Sequence, residues 1–259
     1  MPAISFNLAL NQLKRQEIAK LLPSTDSLCL ASLQQQLQVP LLIIANDGYS
    51  TSRLLEEIRF FAPQLKVASF PDLEMLPFER AAPQKELTAE RLRVLWQISL
   101  GQLDIVIVQA NTLQTRLCPK EYLDHRVLIL KVGDKLSLSE LRTKLLSSNY
   151  SLVEQVYEAG EFAIRGGVVD IMPMGCKQLI RLDLFDDEIE SLKLLESKTK
   201  QLVKTVTSFE LIPTREYPID EISLKRFTAK FGERFPASQN LALLRELKHG
   251  ILPAGSDFY

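Results

Sequence analysis

The chain has 259 residues, with 31 lysines and arginines against 32 aspartates and glutamates and a formal net charge of −1; 46% of its residues are hydrophobic and 24% charged. This is a soluble globular composition with enough length for one large or two ordinary domains, and it excludes a nucleic-acid surface over the whole molecule, though not a local basic patch. Three scattered cysteines (Cys29, Cys118, Cys176) without CxxC spacing, and only two histidines (His125, His249), give no metal-ligand pattern and suit the reduced thiols of a cytoplasmic protein. No basic leader followed by an apolar run is present, and apolar runs are strand-sized, so neither a signal peptide nor a membrane span is expected.

In chain order, residues 6–22 space Phe6, Leu10, Leu13, Ile18 and Leu22 as an amphipathic helix stopped by Pro23. Residues 27–33 read as a short strand leading into a glutamine-rich helix, and Leu41–Ala45 as a buried parallel strand. After the break at Asn46-Asp47-Gly48, a helix carries Leu54, Leu55, Ile58 and Phe61, and a strand follows over Val67–Phe70. Residues 84–98 form a helix with proline just before its start, Trp96 as core packing, and Gly101 beyond its end. Residues 104–108 are the next buried strand, and residues 112–117 a short helix closed by Pro119. Alternating strands and helices predict a parallel α/β domain.

Near Leu123 the pattern changes. Residues 127–131 suit an edge strand, and Ser137 with Glu140 is a capping box opening a helix through Leu141, Leu145 and Leu146. Strands are expected at 152–156 and 191–196, with residues 209–213 returning to the first sheet; from Glu216 the chain reads as helical, over 222–231 and 241–248. The predicted division is a first domain over 1–122, an inserted α+β domain over 123–213, and the returning part of the first domain over 214–259.

Residues 161–189 organise the inserted domain. They read as two strands: Arg165 and Gly166-Gly167 lead into Val168–Ile171, and after Pro173 and Gly175 a second strand runs to Phe185. On that strand Ile180, Leu182 and Leu184 share one face, and Arg181, Asp183 and Phe185 share the other. A single exposed phenylalanine is ordinary on a soluble surface. Phenylalanine and arginine on one strand face are equally a pair of interface anchors, and pattern alone leaves both readings open.

RGGVVDIMP followed by RLDLFDDEIESLKLLE resembles the signature of the module shared by the B component of excinuclease ABC and the bacterial transcription-repair coupling factor. FPDLEMLPFERAAPQKELTAERLRVL at 70–95, and QANTL with RLCP at 109–119, resemble the coupling factor more closely, and the resemblance runs from about residue 41 to the end. It implies a degenerate helicase-like, P-loop-type parallel-sheet domain carrying an inserted small α+β domain. It also implies that the inserted domain docks the A component of excinuclease ABC through Arg165, Arg181 and Phe185. RNA polymerase and DNA would be engaged by other parts of the parent protein, an ATP-dependent translocase whose corresponding domain is expected to continue beyond residue 259.

Two departures argue against catalysis by this chain. Where the excinuclease B component has its phosphate-binding loop, residues 30–35 (LASLQQ) offer no glycine and no lysine, and no GxxxxGK[ST] occurs elsewhere, so neither ATP nor another cofactor is expected to bind. Residues 71–83 hold one aromatic, Phe78, in place of a tyrosine-rich DNA-stacking hairpin. Asp186-Asp187-Glu188 reads as a solvated turn or as support for an arginine, and Lys193, Lys198, Lys200 and Lys204 as a solvated basic run. The reading is a non-catalytic adaptor; the alternatives are a fragment of an excinuclease-B-like helicase and a plain nucleic-acid-binding module.

Overall fold

A computed structural model describes residues 21–75, 82–234 and 246. The helices expected over 6–22 and 241–248 fall almost wholly outside these residues, as does Phe78. The described residues divide into two compact units: one holds those up to Asp72 together with Arg93–Arg116, and the other holds those between Leu73 and Leu92 and from Leu117 onward.

The first unit begins with α1 (Thr25–Leu37), β1 (Leu41–Ala45), α2 (Gly48–Phe61) and β2 (Val67–Phe70). It continues through α3 (Lys85–Ser99), of which residues 93–99 belong here, and ends with β3 (Ile105–Gln109). The three strands are parallel in the order β1-β3-β2. On one face Ile43, Ala45, Val67, Ile105 and Ile107 pack with Leu54 and Ile58 of α2 and Ala31 of α1. On the other, Ala68, Phe70, Val106 and Val108 pack with Val94 and Leu95 of α3. Asp47 caps α2 by accepting from the Ser50 N–H at 2.7 Å, which is the use of the polar break after β1.

Three expectations change here. Residues 27–33 are helical, not a strand: Ser27, Ala31 and Gln34 fall at helical spacing and are buried, so the apparent two-residue alternation of leucines misleads. Among the described residues β1 is an edge strand rather than a fully buried one, because α3 covers β2 and β3 on its face; Leu42 and Ile44 remain 61% and 57% exposed. The helix expected at 112–117 is a single 3-10 turn, Thr112–Gln114.

The second unit contains α4 (Lys120–Arg126), β4 (Leu128–Lys131), α5 (Leu138–Ser147) and β5 (Ser151–Leu152). Then come β6 (Glu161–Arg165), β7 (Val168–Ile171), β8 (Gln178–Phe185), β9 (Glu188–Glu196), β10 (Leu202–Val206), β11 (Ser208–Leu211) and α6 (Glu221–Arg234). Six strands form one sheet in the order β10-β9-β8-β7-β6-β5, antiparallel except for β5 with β6. The Ser137–Glu140 capping box is formed in both directions, at 3.2 and 3.3 Å. Leu141 and Leu145 of α5 pack on Phe162, Val169, Ile171, Ile180, Leu182 and Leu192 of one sheet face.

β11 does not return to the first sheet. It pairs antiparallel with β4, and Leu130 and Leu211 join the α5 core. The segment leading to α6 is likewise tied into the second unit, where the sequence reading assigns residues 214–259 to the first domain. Arg91, with no exposed side-chain surface, pairs with Glu216 at 2.5 Å, the Tyr122 hydroxyl donates to the Arg215 carbonyl at 2.9 Å, and Arg126 pairs with Asp220 at 3.0 Å.

Candidate docking face

The stretch read as two strands is three. β6 and β7 form a hairpin through Gly166-Gly167, with Arg165 opposite Val168, and β7 then pairs with β8 across the turn that contains Pro173 and Gly175. The two glycines have separate reasons to be glycine. Gly166 sits at φ +60, a left-handed conformation that a Cβ disfavours. At Gly167 an added Cβ would lie 2.6 Å from the Leu184 carbonyl oxygen, because the turn closes directly on β8, where the Leu184 N–H donates to the Gly167 carbonyl at 2.7 Å. Arg165 is therefore not on the strand beside β8, as the two-strand reading has it; β7 lies between them.

Antiparallel partners point to the same side of a sheet. The register sets Asp170 opposite Arg181 and Arg181 opposite Lys193, and it sets Val168 opposite Asp183 and Asp183 opposite Ser191. Arg165, Arg181 and Phe185 thus share the face turned away from α5, as the alternation in β8 predicts. One end of that face is not open. Ala163, Met172, Leu179 and Leu195 are buried there under Val156, with Val153 and Ala159 alongside. The other end is polar and carries the three residues.

They are not equally exposed. Phe185 is 68% exposed at the tip of β8. Arg165 is exposed, and its Nη2 donates to the Glu154 carbonyl at 2.9 Å. The Arg181 side chain is only 33% exposed, and its Nε and Nη2 donate to the two Asp170 oxygens at 2.7 and 2.8 Å. Arg181 therefore does not stand free in solvent. A cross-strand carboxylate takes one edge of the guanidinium in bidentate geometry and holds its pKa above the usual arginine value.

Beside this pair, Asp183 accepts from Lys193 Nζ at 2.6 Å and Ser191 Oγ at 2.5 Å. Burial works to raise the Asp183 carboxyl, but these hydrogen bonds, with the charges of Lys193 and Arg181, bring it below the usual carboxylate range. Asp186 and Asp187 form the exposed β8–β9 turn at φ 45 and 61. The acid that supports an arginine is Asp170, not this turn. Sequence reasoning misses Asp170, although an antiparallel β7–β8 hairpin places it opposite Arg181.

Among the described residues no group of three or more His, Cys, Asp or Glu could hold a metal ion, and no helix is long and apolar enough to cross a membrane. Burial pushes the Cys118 thiol up to about 12, so it is a packed side chain rather than a nucleophile.

Residues 128–217 match the UvrB interaction domain. The matched span runs from β4 through β11, so it contains the whole six-stranded sheet and its exposed face. Over a longer stretch, the transcription-repair-coupling factor of Haemophilus influenzae is 33% identical across 93% of this chain and 21% of that protein. That of Escherichia coli is 35% identical across 85% of this chain and 19% of that protein, and that of Bacillus subtilis 27% across 87% and 19%. The chain thus spans about a fifth of the length of the curated relatives it matches. The kinship to the coupling factors covers most of the chain and is not confined to the UvrB interaction domain.

Proposed function

We propose that this chain is a non-catalytic docking module of a transcription-coupled DNA repair factor, and that its UvrB interaction domain binds the A component of excinuclease ABC through the face carrying Arg165, Arg181 and Phe185. One observation carries the reading: within a span that matches an interaction domain, an exposed phenylalanine and two arginines share one face of one sheet. Aromatic and arginine side chains are the usual anchors of protein interfaces, and a rigid sheet presents them with little entropy to lose on binding. RNA polymerase and DNA would be engaged by parts of a longer parent protein. The first unit supports a degenerate helicase-like origin, with three parallel strands flanked by helices on both faces. Residues 30–35, where the excinuclease B component would carry its phosphate loop, lie inside α1, which disfavours the helicase-fragment alternative.

The test is calorimetric titration of the chain into the purified A component of excinuclease ABC. The wild type should bind, Phe185→Ala should weaken binding by about 2 kcal/mol or more, and Lys198→Ala, in the turn after β9, should bind as the wild type does. Absence of wild-type binding would refute the proposal.

A further inference from the structure

We infer that Asp170 is a positioning residue of the docking face, holding the Arg181 guanidinium in the pose the partner reads. The inference rests on the docking proposal above and goes beyond it, since the sequence motif and the exposure of side chains point only to the three anchors.

Asp170 lies on β7 directly opposite Arg181 on β8, and its side chain is the more buried of the two, at 12% against 33% exposure. Its two oxygens take Nε and Nη2, a fork-to-fork arrangement that fixes the plane of the guanidinium as well as its position. What remains for a partner is the two N–H groups of Nη1, the second N–H of Nη2 and the flat of the group. An arginine that already stands in its bound rotamer loses less freedom on association than one waving in solvent.

The neighbouring pairs sharpen the argument. Lys193, opposite Arg181 on the other side, donates to Asp183, which also accepts from Ser191, so it does not compete for Asp170. The ladder therefore assigns each carboxylate to one cation: Asp170 to Arg181, Asp183 to Lys193. Counting Arg165, and Glu188 opposite Phe185, the polar end of the face holds three cations against three carboxylates. The partner meets a nearly neutral, ordered surface with an aromatic tip.

A merely structural cross-strand pair would have the same geometry, so the experiment must separate the two roles. Binding to the A component of excinuclease ABC is measured by calorimetry for the wild type, Asp170→Asn, Arg181→Ala and the double variant, each checked for a cooperative melt. Asp170→Asn should weaken binding roughly tenfold, and in the Arg181→Ala background it should cost nothing more. A loss that persists without Arg181 overturns the inference, since Asp170 would then act on the fold or touch the partner itself. Wild-type affinity in Asp170→Asn or in Arg181→Ala overturns it too, and leaves the docking proposal standing on Phe185. If Asp170→Asn does not fold, the reciprocal Asp170→Arg/Arg181→Asp variant keeps the ion pair but moves the guanidinium to β7. It should melt normally and bind at least tenfold more weakly, and wild-type affinity there is again refuting. Failure of the wild type itself to bind removes the docking proposal and this inference together.

Discussion

Arg181 and Phe185 are four residues apart on one strand and one face, yet the fold depends on them differently. Truncating Arg181 strips the mostly buried Asp170 carboxylate of both its hydrogen bonds, whereas truncating Phe185 removes a ring that is 68% exposed. Arg181→Ala should therefore cost about 1–3 kcal/mol of stability, the penalty for leaving a partly buried polar group without its partner. Phe185→Ala should stay within about 0.5 kcal/mol of the wild type. Urea unfolding followed by circular dichroism checks both values, and equal midpoints for the two variants would show that the Asp170 pair contributes nothing to the fold. A binding loss in Arg181→Ala has to be read beside that melt, and one in Phe185→Ala does not. The two-residue period of β8 makes the shared face legible in the sequence. The unequal burial is not legible, because it depends on which side chain the next strand brings opposite.

The β6–β7 hairpin is the element that sequence reasoning misses, and the signal for it is present. Two strand-like runs separated by Gly166-Gly167 are a tight-turn pattern. Treating the glycines as the entrance to one strand shifts Arg165 one strand too close to β8. β10 is hidden for another reason: its alternation is diluted by Lys204 and a register shift between Leu202 and Lys204, and its first four residues are exposed, so little apolar pattern marks it. The turn also makes a graded prediction. Gly166→Ala meets open space and pays only for its left-handed backbone, about 1–2 kcal/mol. Gly167→Ala adds a Cβ 2.6 Å from a backbone oxygen of β8, and relief requires moving the strand that carries Phe185. It should lower the melting temperature more than Gly166→Ala does, and it should weaken binding even at temperatures where the chain is folded. The opposite order of melting temperatures would show that the contact at Leu184 yields easily.

At the scale of the molecule, the two units differ in how they finish their sheets. The strand–helix alternation and the parallel sheet of the first unit are legible because consecutive apolar runs, prolines and glycines mark them. Which helix covers which strand is not, because local sequence does not state how far a helix reaches across a sheet. The consequence is at β1. The six-stranded sheet ends in β10, which bears Lys204 and an irregular register, two features that discourage another strand from adding to an edge. β1 is Leu-Leu-Ile-Ile-Ala, pairs among the described residues with β3 alone and in regular register, and carries no charge, while Leu42 and Ile44 stand exposed on the face α3 does not reach. A flat aliphatic edge of that kind is a template for association. Ile44→Lys should reduce the concentration-dependent light scattering of the purified chain. Its cost in stability should stay within about 0.5 kcal/mol, because the side chain it replaces is already more than half in solvent. It should also leave binding to the A component of excinuclease ABC unchanged, since the docking face is proposed to lie wholly on the other unit. Scattering that is the same for both proteins would mean the β1 edge is not where copies of the chain meet.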